Sequence, residues 1–91
     1  MRNRRSRIDL VGDILIKAHG GATMTRLMYD CGLSYKRTKE FVSLLFERGL
    51  LKYEPMNANY RPSPEGFRYL EVYDEVNTMT NLINAMKSNL Q

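Results

Sequence analysis

The chain has 91 residues, which leaves room for one domain, and 43% of them are hydrophobic, which excludes a disordered protein. A chain of this length buries only about 60–65% of the surface that its unfolded form exposes, so we expect oligomerisation to add to its stability. Its formal net charge of +4 is compatible with a polyanionic partner.

Charge is distributed unevenly along the sequence. Residues 1–65 contain twelve Lys or Arg and seven Asp or Glu, whereas residues 66–91 contain two and three. This asymmetry predicts a basic binding part followed by a nearly neutral packing part. The lone Cys31 cannot form an internal disulfide, and no apolar run approaches the roughly 20 residues of a membrane span. We therefore expect a cytoplasmic protein without a membrane partner.

The N-terminus is rich in arginine, and we assign residues 1–7 to a flexible basic arm. Its arginines precede the first periodic pattern: Arg2, Arg4, Arg5 and Arg7. Such a segment is either a solvated terminus or an arm that follows phosphates or enters a minor groove. The sequence leaves both alternatives open.

The first helix is predicted from its N-cap at Ser6 to Ala18. Residues at spacings of three and four give it one apolar face, which Ile14 widens. These residues are Ile8, Val11, Leu15 and Ala18. Gly20-Gly21 can supply the left-handed stop after this helix.

The next segment predicts two helices joined by a tight turn. Thr23 caps a short helix over residues 24–30, and Gly32 provides the turn. Ser34 caps a longer helix that begins at Tyr35. One face of this longer helix is apolar and faces the core: Thr38, Phe41, Val42 and Leu45. The opposite face is polar: Lys36, Lys39, Glu40, Ser43 and Glu47. This is the layout of a helix-turn-helix, in which the second helix is offered to the DNA major groove.

Two short β-prone runs follow this longer helix, one at residues 50–54 and one at residues 59–62. The residues between them are rich in turn formers, so we predict a hairpin. A hairpin directly after a recognition helix is the wing of a winged helix. Pro62 cannot donate to a sheet, so the second strand must be short or lie at an edge.

Ser63-Pro64-Glu65 is a strong helix start, and no helix breaker appears after Gly66. The last helix could run to about residue 88, a length of roughly 37 Å, which exceeds what the core of so small a domain needs. Its apolar residues alternate by three and four, as in a coiled-coil seam. Such a stripe packs either on its own chain or on a second copy. Since nothing remains in the chain to cover it beyond about Val76, we predict a homodimer. The predicted interface, with the adjoining Leu82, is Tyr69, Val72, Val76, Met79, Leu82, Ile83, Met86 and Leu90.

Several segments carry a family resemblance. They are Thr25-Arg26-Leu27-Met28-Tyr29, Leu33-Ser34-Tyr35, Leu50-Leu51, and Tyr60 through Gly66 with the long helix behind it. From Ser6 onward, the chain resembles the small archaeal winged-helix DNA-binding proteins first described as ten-kilodalton chromatin proteins of Sulfolobus. The resemblance implies a dimer joined by an antiparallel coiled coil of the last helices. It also implies DNA binding with modest sequence preference, in chromatin organisation or transcriptional regulation.

Residues at the start of the third helix are the candidates for base contacts. They are Tyr35, Lys36, Lys39 and Ser43. None is Arg, Asn or Gln, the side chains that make the best bidentate hydrogen bonds to bases. We therefore expect weak sequence discrimination, with phosphate contacts supplying a large part of the affinity. Candidate phosphate contacts are Arg26, Arg37, Lys52 and Arg61, and candidate minor-groove contacts at the wing are Asn57 and Asn59. The predicted DNA-binding set also includes Ser34 and the four arginines of the arm. Glu40 and Glu47 oppose this prediction because they repel phosphates.

We therefore predict a mainly α fold with a small β-hairpin. A winged helix-turn-helix DNA-binding domain would occupy residues 8–66, and a C-terminal coiled-coil dimerisation helix residues 67–91. The predicted function is double-stranded DNA binding by a nucleoid-associated transcriptional regulator or chromatin-architectural protein. The alternative is a protein-interaction adaptor in a transcription or nucleic-acid-processing complex. The single His and single Cys lack partners at catalytic or metal-ligand spacing, so we predict no enzyme activity, cofactor, metal or small-molecule ligand.

Overall fold

The structure is a computed structural model that describes the backbone of residues 5–89 and the side chains of residues 5–87. Three predicted contact residues, Arg2, Arg4 and Leu90, lie outside the described residues. Within the described part, the chain forms four helices and one antiparallel two-stranded sheet. The elements are α1 (Arg7–Lys17), α2 (Met24–Cys31), α3 (Tyr35–Glu47), β1 (Leu51–Glu54), β2 (Asn59–Pro62) and α4 (Pro64–Asn89). This is the fold class that the sequence predicts.

A hydroxyl residue caps each of the first three helices. The side chains of Ser6, Thr23 and Ser34 each accept a hydrogen bond, at 3.1 Å, from the backbone N–H three residues further on. This satisfies one of the amide groups that a helix N-terminus leaves without a partner. Gly32 ends α2 with a φ of 65°, a left-handed conformation that glycine adopts without steric cost. These local signals fix where α2 ends and α3 begins.

The core lies between α1, α2, α3 and β1. Its most deeply buried apolar side chains are Ile14, Leu15, Ala18, Leu27, Val42, Leu45 and Leu51. The prediction of which residues form the apolar face of α1 is wrong at the first turn, because Ile8 is 63% exposed and Leu10 is buried. Leu10 lies about 200° around the helix axis from Ile8, since each residue turns the helix by about 100°. The buried stripe therefore begins at Leu10, and Ile8 lies beside α4 instead.

The hairpin pairs Leu51 with Pro62 at one end and Glu54 with Asn59 at the other. Pro62 ends its strand, as expected for a residue without an N–H to donate. Ala22, in the loop between α1 and α2, exchanges backbone hydrogen bonds with Tyr60 at 3.0 and 2.8 Å. This bridge ties the hairpin to the start of the helix-turn-helix.

The beginning of α4 is joined tightly to the strands. Ser63 caps α4 by accepting a hydrogen bond from the N–H of Gly66 at 3.1 Å, and its hydroxyl donates to the carbonyl of Gly49. A Cβ atom at position 66 would collide with the backbone carbonyl oxygen of Leu50. Only glycine allows this close approach.

Two tyrosines attach the next turns of α4 to α1. The hydroxyl of Tyr69 donates to the carbonyl of Ile8 at 3.0 Å, and that of Tyr73 donates to Asp9 Oδ1 at 2.7 Å. The Tyr73 ring lies against Gly12, where an added Cβ would come within 2.8 Å of it. Beyond Tyr73, every described side chain of α4 is exposed.

We call residues 5–73 the head and residues 74–87 the rod. The whole of α4 has 26 residues, or about 39 Å of helix. None of the helices in the described part of the chain is long and apolar enough to cross a membrane.

Candidate nucleic-acid interface

The orientation of α3 is set by its buried face. Thr38, Phe41, Val42 and Leu45 are buried, as the sequence predicts. The Thr38 hydroxyl has no solvent exposure and donates to the Ser34 carbonyl at 2.8 Å, so this polar group is satisfied inside the core. With that face buried, the opposite face of α3 is directed to solvent.

The outward face of α3 carries the predicted base-contacting residues. Tyr35, Lys36, Lys39 and Ser43 are all exposed, together with the capping Ser34. Positions 36, 39 and 43 follow the three-and-four spacing that places side chains on one side of a helix. The structure therefore brings the two lysines and Ser43 onto one continuous surface. We call the exposed residues Tyr35, Lys36, Lys39 and Ser43 the α3 surface.

The two lysines of the α3 surface are not neutralised within the molecule. Among residues 5–87, neither Lys36 nor Lys39 forms an ion pair, and Lys36 lies outside ion-pair distance of Glu40 one turn away. Their charges add to the positive end of the α3 helix dipole, which favours anions near the first turn. Glu40 and Glu47 are also exposed, and they reduce the positive potential toward the other end of the helix.

Three of the predicted phosphate-contacting arginines interact with other side chains. Arg26 Nε lies 3.0 Å from Asp30 Oδ2, and Arg61 Nε lies 2.8 Å from Glu54 Oε1. The guanidinium carbon of Arg37 lies 5.6 Å from the centre of the Phe41 ring. Surface ion pairs of this kind contribute about 0–1 kcal/mol, so a phosphate can replace the carboxylate partner at little cost. Lys52 on β1 is exposed and has no ion-pair partner among the described residues.

The wing tip differs in detail from the prediction. Asn57 is exposed at the turn, but Asn59 is half-buried, and its amide nitrogen would lie 3.0 Å from a Cβ at Gly21. Asn59 therefore faces the loop before α2 and not the tip. Met56, which the sequence prediction did not select, is 97% exposed beside Asn57. The sequence did contain a signal for this exposure, because Met56 stands between a proline and an asparagine in a predicted turn.

The described end of the arginine arm is attached to α1. Arg5 Nη1 lies 2.8 Å from Asp13 Oδ2, two turns along that helix from the Ser6 cap. Arg7 is the first residue of α1 and is exposed. Helix α1 therefore begins at the last residue of the predicted arm.

The predicted dimer residues on α4 fall into two groups. Tyr69 is half-buried and packs against the core of its own chain. The rest of the stripe is between 48% and 62% exposed: Val72, Val76, Met79, Leu82, Ile83 and Met86. An exposed row of large apolar side chains is unusual for a monomer.

Cys31 and His19 are not part of the α3 surface. Cys31 is buried in the core, and this burial raises the pKa of its thiol. His19 places its ring edge-on to Phe67, with the ring centres 5.5 Å apart. The described residues include no group of three or more His, Cys, Asp or Glu that could hold a metal ion.

Comparisons with known proteins agree with this architecture. Residues 4–81 match a family model described as winged helix-turn-helix. Among curated proteins, none matches the chain. Among solved structures, the crystal structure of Sso10a-2, a DNA-binding protein from Sulfolobus solfataricus, has a similar fold. Its TM-score is 0.78 at 21% sequence identity, and the match covers 94% of this chain and 93% of that one. The resemblance drawn from the sequence is thus confirmed in family and fold, and the chain belongs to the winged helix-turn-helix family.

Proposed function

We propose that this protein binds double-stranded DNA with modest sequence preference, as a homodimer, by seating α3 in the major groove. The observation that carries the proposal is the α3 surface. It is exposed on the second helix of a helix-turn-helix, and its two lysines have no ion-pair partner among residues 5–87. The similar structure in Sulfolobus solfataricus is that of a DNA-binding protein, which supports the same function here.

In the proposed complex, residues 35–43 of α3, about two and a half turns, contact base edges. The ammonium groups of Lys36 and Lys39 donate to guanine N7 and O6, and the Ser43 hydroxyl can serve several bases. The Tyr35 ring, which is 54% exposed, adds apolar contact. A lysine makes a point contact and not a bidentate fork, so discrimination between bases is modest.

Phosphate contacts supply most of the affinity. The candidates are Arg26, Arg37, Lys52 and Arg61. Arg26 and Arg61 can each exchange a weak surface ion pair for a phosphate oxygen, and Lys52 has no ion-pair partner among the described residues to give up. Arg7, the first residue of α1, and Arg5 just before the helix extend this set. The release of counterions from DNA makes the binding strongly dependent on salt. Glu40 and Glu47 favour placing the N-terminal half of α3 deepest in the groove.

The wing contributes through its tip. Asn57 is exposed there and can read acceptors in a minor groove, whereas Asn59 needs to turn away from Gly21 to do so. Met56 adds an apolar side chain at the same point. Of the two asparagines, we assign the minor-groove contact to Asn57.

The dimer forms through α4. The exposed stripe of the rod supplies the apolar surface, and a second copy is the partner that would cover it. We assign DNA binding to residues 8–66 and dimerisation to residues 67–91, with the first turns of α4 also serving the head. The role that fits such a dimer is that of a nucleoid-associated regulator or chromatin-architectural protein in the cytoplasm.

One observation favours the alternative role of a protein-interaction adaptor. Tyr29 on α2 is 75% exposed and Phe46 on α3 is 51% exposed. Exposed aromatic side chains are common at protein interfaces. A module that used these residues would not need the lysines of the α3 surface.

Binding to a random-sequence duplex tests the proposal. We expect a gel shift at low salt that weakens steeply as the salt is raised to a moderate concentration. Absence of a shift at low salt would reject DNA binding and leave the adaptor role. A binding-site selection on random DNA then measures the sequence preference.

A further inference from the structure

The tip of the hairpin, residues 55–58, presents one large apolar side chain to solvent. Met56 is 97% exposed, more than any other exposed large hydrophobic side chain of the described residues. Burial within its own chain therefore contributes almost nothing to the stability of the head. Turns are usually built from small or polar residues, which need no cover from solvent. An apolar side chain held out in this way is available to a binding partner.

The backbone of the tip holds Met56 in place. The N–H of Asn57 donates to the carbonyl of Glu54 at 3.3 Å. The N–H of Ala58 donates to the carbonyl of Pro55 at the same distance. Ala58 has a φ of 51°, a left-handed conformation that is unfavourable for a residue other than glycine. Backbone strain of this kind clusters at functional sites, which makes the tip a candidate for a contact.

The strands beneath the tip form a rigid support. The rings of Tyr53 and Tyr60 pack against each other, with their centres 4.9 Å apart. Tyr60 is also hydrogen-bonded through its backbone to Ala22. At the other end of the hairpin, Leu51 and Pro62 are buried. A tip on such a support loses little conformational freedom on binding, which leaves more of the contact energy for the complex.

Two cations lie side by side behind the tip. Lys52 on β1 is directly opposite Arg61 on β2, two positions from the last pair of the hairpin, or roughly 7 Å along the strands. Like charges directly opposite each other on a sheet are unfavourable, and a bound anion relieves their repulsion. Among the described residues Lys52 has no ion-pair partner, and Arg61 has only a surface pair with Glu54. An apolar point flanked by positive charge fits a DNA groove bordered by phosphates better than an uncharged protein surface.

We propose that Met56 acts as a wedge, an apolar side chain that enters the minor groove and partly unstacks two neighbouring base pairs, so that binding kinks the duplex. Apolar side chains inserted in this way, methionine among them, kink DNA by about 20–90° toward the major groove. This inference rests on the proposed function and adds a deformation of the DNA to it. Because pyrimidine–purine steps unstack most easily, the wedge would favour sites that contain them, although the protein reads few base edges.

A duplex with one mismatched base pair tests the wedge, because the mismatch has already lost part of the stacking that Met56 must disrupt. The affinity of the full chain is measured by fluorescence anisotropy on a short matched duplex and on the same duplex with a central mismatch. We expect the wild type to bind the mismatched duplex roughly fivefold tighter or more. Met56→Ala should bind the two within about twofold, and Met56→Leu, which keeps an apolar wedge, should retain the preference. Equal wild-type affinities for the two duplexes would overturn the proposal.

Unstacking is measured directly with 2-aminopurine, a fluorescent adenine analogue that stacking quenches. It replaces the adenine of a single TA step in the matched duplex, because this step unstacks easily. Saturating wild-type protein should raise the fluorescence, and Met56→Ala should lose the rise. The matched control is Ile16→Ala, which shortens another exposed apolar side chain, on α1 and outside the wing. This control should keep both the fluorescence rise and the preference for the mismatch.

The wedge and the DNA binding on which it rests fail in different ways. If the wild type binds the matched duplex but shows neither the mismatch preference nor the fluorescence rise, the wedge is wrong and DNA binding stands. If the wild type binds neither duplex at low salt, the proposed function is wrong and the wedge with it. A rise that persists in Met56→Ala would overturn the assignment to Met56, since another side chain would then unstack the bases.

Discussion

The head and the rod contain the same kinds of apolar residue in opposite environments. Ile14 in the head is fully buried, whereas Ile83 in the rod is 48% exposed. Leu45 and Leu82 differ in the same way, at 2% and 61% exposure. Helical periodicity shows that a helix has a face to cover, but it does not show what covers it. In the head the cover comes from the same chain, and in the rod we propose that it comes from a second one.

The largest effect is expected from a charge in the core of the head. Ile14→Asp places a carboxylate at a site without solvent exposure, and the uncompensated charge should lower the free energy of unfolding by roughly 4 kcal/mol or more. Urea or thermal unfolding followed by circular dichroism measures it. If the variant unfolded like the wild type, the described core would be incorrect.

The equivalent change in the rod should separate the chains without unfolding them. Ile83→Asp introduces a charge on the stripe, where it disfavours an apolar interface but leaves the head core untouched. Sedimentation should show a monomer with the circular dichroism of a folded head. Asn84→Asp, which adds the same charge beside the stripe, is the control and should remain a dimer. A dimeric Ile83→Asp variant would refute the assignment of the interface.

A smaller effect is expected within the head, where β2 leads into α4. Gly66→Ala forces a Cβ against the carbonyl oxygen of Leu50 and should cost about 1–3 kcal/mol of stability. Gly20→Ala is the control, because Gly20 has no neighbour within 4 Å and no positive φ. That variant should be neutral or more stable by about 0.4–1 kcal/mol. Equal unfolding midpoints for the two variants would contradict the close approach at Gly66.

The smallest effect concerns the hydrogen bond between Tyr73 and Asp9. The Tyr73 hydroxyl, helped by the Ser6 cap, holds the pKa of the Asp9 carboxyl below its ordinary value of 3.8. Because the pKa is lower in the folded state, the pair adds stability above about pH 4 and loses this contribution as the pH falls through the folded pKa. Tyr73→Phe should therefore lower the urea midpoint near pH 6 and lower it less near pH 2.5. A pH-independent difference would mean that the Asp9 charge is not involved.

Much of the head could be predicted because its signals are local. Ser6, Thr23 and Ser34 bond to amides three residues away, so their roles are visible in a short stretch of sequence. Gly32 ends α2 through its own left-handed backbone conformation, which is also a local signal. The exposure of the α3 surface followed from the burial of Thr38 and its neighbours on the opposite face.

The features that were missed depend on contacts between distant parts of the chain. Ile8 and Leu10 both fit a helical face, and only the packing of α4 beside α1 separates them. The pairing of Ala22 with Tyr60 and the turning of Asn59 toward Gly21 join segments about 38 residues apart. No spacing rule in a single sequence reports such contacts, and the ion pair of Arg61 with Glu54 across the hairpin likewise appeared only in the fold. The pair of Arg26 with Asp30 differs, because its four-residue spacing on α2 is visible in the sequence.

The central claim is that the head binds DNA through the charges of the α3 surface. The most direct test is the salt dependence of duplex affinity for Lys36→Ala with Lys39→Ala, measured beside a control that removes two charges elsewhere, Lys17→Ala with Arg68→Ala. We expect the α3 variant to bind more weakly and the slope of log affinity against log salt to flatten by about two units, whereas the control keeps the wild-type slope. An unchanged slope in the α3 variant would contradict the claim, since the charges of the α3 surface would then release no counterions from the duplex.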